Sequence, residues 1–186
     1  MNVTPIFPTP IASFLNFITS KERLQICDRI NNISHIPHPS IHGDGFSTHY
    51  KITKFLDNKI KNRIQDALDE YNKTYGIFPA RITEIWSNIQ NSGSKLTQHS
   101  HPGSIVSGAL YINVGEESKL YFHNPNPYVY FTEVEKQTPY TYQYKWIPVE
   151  NCELVIFPSW LRHGNDNVIN EMDNRIVVSF NSKGEC

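Results

Sequence analysis

The chain has 186 residues, 39% hydrophobic and 19% charged, the ordinary balance of a single globular domain. Lys and Arg number 17 against 18 Asp and Glu, and the formal net charge of −1 lacks the footprint of a dedicated nucleic-acid binder. No apolar run is long enough to span a membrane, and the N-terminal MNVTPIFPTPIASF has no basic region and is broken by prolines, unlike a secretory signal.

Pro5, Pro8 and Pro10 keep residues 1–10 extended. Ser20 as N-cap, followed by Leu24, Ile26, Cys27, Ile30 and Ile33, predicts a helix over 20–33. Residues 34–49 contain Pro37, Pro39, Gly43 and Gly45 and read as a loop. Its histidines, His35, His38, His42 and His49, are irregularly spaced and are expected to be solvated. Phe55, Leu56, Ile60, Ile64, Ala67, Leu68 and Tyr71 recur at spacings of three and four, which predicts a second helix over 54–75, stopped by Gly76 and Pro79. Over 51–63, Lys51, Lys54, Lys59, Lys61 and Arg63 are expected to form a solvated face.

From residue 80 the period becomes two. Runs over 80–90, 105–114, 119–123, 141–147, 153–157 and 175–181 alternate or are rich in β-formers, and Gly, Pro and Asn separate them. No helical pattern intervenes, so the reading is an antiparallel sandwich or barrel rather than βαβ units. The expectation is one domain over 1–186, with a helical part at about 1–79 covering one sheet of a β core at about 80–186. Cys27, Cys152 and Cys186 are scattered, without a CxxC pair, which fits a reducing compartment and predicts a cytoplasmic protein. Cys152 has no His-Asp pattern to make it a nucleophile.

Gln98-His99-Ser100-His101-Pro102-Gly103 carries the clearest chemical signal. In a strand, residues two apart share a face, so His99 and His101 can present two imidazoles together. Such pairs also occur on solvated surfaces. His163 follows the strand 153–157 and its Pro158-Ser159-Trp160 turn, where sandwich folds place functional loops. In the last run Ile176, Val178 and Phe180 share an apolar face, while Arg175, Val177, Ser179 and Asn181 share the other. An inward guanidinium is costly without a carboxylate, and no acidic residue is an obvious partner, so a ligand carboxylate is the natural candidate. Trp86 and Trp160 read as packing residues, and His123 either lines the pocket or faces solvent.

These blocks resemble a known family. His99-Ser-His101-Pro-Gly-Ser with Ser107-Gly-Ala-Leu-Tyr111 is similar to the H-x-H-P…S-G-x-Y-Y block of the Fe(II)/2-oxoglutarate oxygenases of prolyl-hydroxylase-like type found in marine bacteria and large phages. Phe157-Pro-Ser-Trp-Leu-Arg-His163 looks like its F-P-S-W-L-x-H segment, and Arg175-Ile-Val-Val-Ser-Phe-Asn181 like its closing R-I-S-x-S-F-N. Leu120-Tyr-Phe-His-Asn-Pro125, Ile6-Phe-Pro-Thr-Pro10 and Trp86-x-Asn88 also match, so the resemblance covers nearly the whole chain. It implies a mainly β fold with flanking helices: a double-stranded β-helix, or cupin-like jelly roll, with its metal at the barrel mouth.

The resemblance further implies Fe(II) held by His99, His101 and His163. Related oxygenases use His-x-Asp or His-x-Glu, and His101 stands at the carboxylate position. It implies 2-oxoglutarate with its far carboxylate on Arg175. Tyr111 and Asn88 share a face with pocket-directed positions and are candidates for further cosubstrate contacts or for ordinary core polar packing, and Ser179, on the face of Arg175, joins them as a cosubstrate candidate. Val177 replaces a Ser frequent in the family. The implied activity is a dioxygenase that uses O2 to hydroxylate an unidentified small-molecule or peptide substrate, while 2-oxoglutarate is converted to succinate and CO2. The segments 34–49 and 124–139 are the expected substrate lid. No nucleic-acid or membrane partner is expected, and a phage-encoded protein of this type would act in the host cytoplasm. The alternatives are a non-redox jelly-roll module binding metal or sugar, and a structural phage jelly roll with incidental histidines.

Overall fold

The computed structural model describes residues 1–2, 6–48, 54–131, 133–164 and 167–185. Pro5, His49, Lys51 and Cys186 lie outside the described residues. In chain order the elements are β1 (Ala12–Phe14), α1 (Ser20–Asn31), β2 (Ile36–Pro37), β3 (Ile41–His42), β4 (Gly45–Ser47), α2 (Asn58–Tyr75), β5 (Ala80–Gln90) and β6 (Lys95–Leu96). They continue with β7 (Val106–Asn113), β8 (Lys119–His123), a 3-10 turn (Pro127–Phe131), β9 (Tyr144–Pro148), β10 (Leu154–Pro158) and β11 (Arg175–Gly184).

Both expected helices form, with corrected starts. The N-cap of α1 is Thr19 rather than Ser20: Thr19 Oγ1 accepts the Glu22 N–H at 3.2 Å, and Glu22 Oε2 accepts the Thr19 N–H at 2.8 Å. This reciprocal box satisfies two amides that Ser20 would leave unpaired. Helix α2 begins after Asp57, whose carboxylate accepts the Ile60 N–H, and ends at Gly76, whose φ of 67° suits glycine. The expected loop at 34–49 is corrected in part. It holds three short strands, and β4 pairs with β5 through Gly45↔Gln90, Phe46↔Ile89 and Ser47↔Asn88. Edge pairing supplies partners for backbone groups that Pro and Gly content alone would assign to solvent.

The large sheet is antiparallel, in the order β1-β10-β7-β11-β5-β4-β2. Its two faces do different work. Val106, Leu110 and Ile112 of β7, Leu154 and Ile156 of β10, and Ile176, Val178 and Phe180 of β11 pack against Ile26, Ile30, Ile60, Ile64 and Leu68 of the helices. The opposite face presents Ala109, Tyr111, Val155, Phe157 and Val177 to a second, smaller layer carrying Leu120, Phe122 and Leu161. That layer consists of the pairs β3–β6 and β8–β9, joined through His163, which bridges both His99 and Phe122. The helices therefore cover one sheet, as expected, and the space between the layers holds the candidate site.

Glycine is required at two positions here. A Cβ on Gly108 would meet the Phe180 ring and lie 2.8 Å from Val155 O. Gly164, with φ 95°, passes so close that a Cβ would stand 2.7 Å from Thr97 O. Cys27 and Cys152 are free thiols. No helix of the described residues is long and apolar enough to cross a membrane.

Candidate metal and cosubstrate site

His99 and His163 are held face to face by the backbone. The N–H of each donates to the carbonyl of the other, at 2.8 and 2.9 Å. His101 follows immediately, its N–H donating to Ser159 O at 2.9 Å. His99 thus sits on a single bridge rather than in a continuous strand with His101, yet the three rings converge, with centroids 4.4–5.0 Å apart. One ligand nitrogen from each of the three lies within 4.8 Å of the others, and His101 Nε2 is 3.3 Å from His163 Nε2.

Backbone carbonyls set the tautomers of two rings. His99 Nδ1–H donates to Thr97 O at 2.8 Å and His163 Nδ1–H to Leu161 O at 3.0 Å, which leaves each Nε2 as a lone-pair donor. Burial holds both rings below the usual histidine range. His163, only 6% exposed, is pushed furthest, with the neighbouring His99, His101 and His123 adding to the effect. Neutral imidazoles with converging lone pairs are the donor set a transition metal takes. Trp86, 5% exposed, packs its ring 5.7 Å from that of His101, and the Phe157 ring lies 4.7 Å from that of His163.

The three histidines open into a cavity of about 1020 Å³. Asn88, Tyr111, Arg175 and Ser179 line the same cavity, so the structure brings all seven expected site residues together. Arg175 Nη1 donates to Gln90 Oε1 at 2.9 Å, and no described carboxylate pairs with it. Burial lowers its guanidinium pKa, and the Tyr111 hydroxyl beside it, itself pushed upward by burial, favours the cation. The buried Asn88 Oδ1 has no hydrogen-bond partner among the described residues. A half-buried cation with no carboxylate beside it, in the cavity wall, is a group that a dicarboxylate can satisfy.

Several features escaped the sequence reading. Gln90 carries no chemical motif of its own, although its position in the Trp86-Asn88-Gln90 alternation marks it as inward. A polar chain was also missed: Ser159 Oγ and Ser107 Oγ are 2.7 Å apart, Ser107 donates to Asn181 Oδ1 at 2.7 Å, and Asn181 Nδ2 donates to Glu84 Oε2 at 3.1 Å. Trp160 is 56% exposed and not a packing residue, because the turn after β10 points it outward. His123 stands outside the main cavity, its Nε2 3.0 Å from Gly164 O. His35 is fixed rather than solvated, its ring nitrogens meeting Ile33 O and Ser87 Oγ, and His38 lines the cavity with Ile36 and Pro37. None of the described residues of 124–139 lines it; the segments 115–121 and 168–172 do.

A protein-family model described as “Putative 2OG-Fe(II) oxygenase” matches residues 84–181, more than half of the chain. Solved structures of similar fold include HygX from Streptomyces hygroscopicus with nickel and 2-oxoglutarate bound, with a TM-score of 0.65 and 10% identity over 95% of this chain and 83% of that one. They also include a Pseudomonas putida prolyl-4-hydroxylase, with a TM-score of 0.61 and 14% identity over 96% and 94% of the two chains. A third is a Trichoplax adhaerens prolyl hydroxylase in complex with a hypoxia inducible factor peptide, with a TM-score of 0.65 and 13% identity over 93% and 83%. These likenesses bear out the double-stranded β-helix fold. No curated protein matches the sequence.

Proposed function

Since the chain belongs to the 2OG-Fe(II) oxygenase family, we propose that His99, His101 and His163 hold its Fe(II), that Arg175 takes the far carboxylate of 2-oxoglutarate, and that the enzyme hydroxylates a C–H bond of a small-molecule or peptide substrate. The observation that carries this reading is the convergence of three imidazoles and one carboxylate-free guanidinium on a single cavity. When bound, Fe(II) with its cosubstrate supplies the chemistry that couples decarboxylation of 2-oxoglutarate to oxidation of a C–H bond.

The chain's own residues do the positioning. Thr97 and Leu161 carbonyls fix the ring tautomers, so His99 and His163 need no rearrangement to offer Nε2. Arg175 attracts and orients a dicarboxylate from the cavity floor, with the Tyr111 hydroxyl beside it and the Asn88 amide able to donate or accept by rotation. Trp86, Phe157 and Val177 wall the site with apolar surface and exclude water from around the three rings.

Anaerobic addition of Fe(II) and then 2-oxoglutarate tests the reading. A visible charge-transfer band, and release of succinate when O2 is admitted, are the expected results. Stoichiometric metal binding with no band at saturating 2-oxoglutarate would instead identify a non-redox metal-binding jelly roll.

A further inference from the structure

We propose that Gln90 is a positioning and specificity residue for the cosubstrate: its neutral amide holds the Arg175 side chain in place without consuming the charge that selects a dicarboxylate. The inference rests on the reading of Arg175 given above.

Gln90 is the last residue of β5, the register partner of Arg175 in β11, and only 5% exposed. Its Oε1 accepts from Arg175 Nη1 at 2.9 Å. A guanidinium is a rigid planar fork of five donors, so one fixed acceptor restricts the orientation of the whole plane while most donors stay available. A carboxylate at the same position would hold the plane equally well. It would also neutralise the cation before any ligand arrived, and in a buried site that loss is large.

The backbone that carries the acceptor is itself held in place. Asn170 Nδ2 donates to Gln90 O at 3.2 Å, to Asn91 O at 2.9 Å and to Met172 O at 2.6 Å. Asn91 Oδ1 accepts the Asn174 N–H at 2.9 Å, one residue before Arg175. The end of β5 and the start of β11 are thus tied at the backbone, and the amide-to-guanidinium bond is made between fixed points.

The test measures binding to the full chain loaded with Mn(II), by calorimetry, for 2-oxoglutarate and for 2-oxovalerate, which carries a methyl where the far carboxylate would be. Arg175→Met is expected to weaken 2-oxoglutarate at least tenfold, and an unchanged Kd there would overturn the reading on which the inference rests. With that control in hand, Gln90→Glu is expected to weaken 2-oxoglutarate at least tenfold, leave 2-oxovalerate within threefold, and leave Mn(II) affinity unchanged. Retained discrimination between the two acids in Gln90→Glu would overturn the inference. Gln90→Met keeps the volume and the neutrality but removes the acceptor. Its expected signature is a KM for 2-oxoglutarate raised threefold or more with kcat unchanged, and an unaltered KM would also overturn the inference.

Discussion

His101 Nε2 and His163 Nε2 lie 3.3 Å apart, although one residue precedes β7 and the other follows β10. Two imidazoles bound cis on one metal, at about 2.1 Å each, have nitrogens about 3 Å apart. The backbone alone nearly achieves that spacing, through the paired amides of His99 and His163 and the His101 N–H on Ser159 O.

The first prediction follows from this spacing. His99→Ala, His101→Ala and His163→Ala each lose most Fe(II) affinity while remaining folded. His101→Asp introduces the carboxylate of a 2-His-1-carboxylate triad and retains Fe(II). Metal content after equilibrium dialysis checks the series, and full occupancy in His101→Ala removes His101 from the ligand set.

Arg175→Ala weakens 2-oxoglutarate by about 1.5–3 kcal/mol, the range for hydrogen bonds to charged groups, and leaves metal binding intact. Arg175→Lys recovers only part, since an ammonium lacks the planar fork. Titration of the visible band measures both, and equal affinity in Ala and wild type contradicts the assignment.

Metal-free protein loses stability on mild acidification. The folded pKa values of His99 and His163 are depressed by burial, so below the ordinary histidine value of about 6.5 the unfolded chain binds more protons than the folded one. Stability is complete above that pH and falls as pH drops toward the folded pKa values, by up to about 1.4 kcal/mol per pH unit for each ring. Urea midpoints between pH 7.5 and 5.5 check the slope, which His163→Phe should make shallower.

Ser107→Ala strands the Ser159 hydroxyl and Asn181 Oδ1 in a buried setting and costs about 1–3 kcal/mol. Because the Ser159 carbonyl holds the His101 amide, metal affinity falls with it. Thermal melts read the first effect and metal titration the second; a melt unchanged from wild type contradicts the chain's structural weight.

Gly108→Ala forces a methyl into the Phe180 ring and against Val155 O, and overpacking of this kind costs about 1–3 kcal/mol. The double variant Gly108→Ala with Phe180→Leu regains part of it. Chemical denaturation of wild type, the two single variants and the double variant gives the coupling.

The strong periodicities were legible from the sequence. Alternation in 175–181 correctly split Ile176, Val178 and Phe180 from Arg175, Val177 and Ser179, because a sheet with two buried faces leaves no freedom in which side chain points where. The spacing in 54–75 gave α2 to within a few residues. Features made by distant pairings were not legible. Gly45 and Phe46 look like loop residues until β5 lies beside them, and Ser107, Ser159 and Asn181 look like routine polar positions until three strands bring them together. Gln90 is unremarkable until Arg175 arrives across the ladder.

The two faces of β11 also make ligand binding a gauge of strand register. Side chains alternate with period two, so a slip of one residue against β5 or β7 would turn Arg175 into the helix-packed core and bring Ile176 into the cavity. The ladder carries irregularities at Ile176/Val177 against β7 and at Asn181/Ser182 against β5, and these fix where the count must close. With Arg175 in the role proposed above, only a chain threaded in the native alignment presents its cation to the cavity. The share of the melting amplitude that 2-oxoglutarate shifts upward therefore reports the correctly threaded fraction, and mis-threaded protein melts unchanged however much 2-oxoglutarate is added.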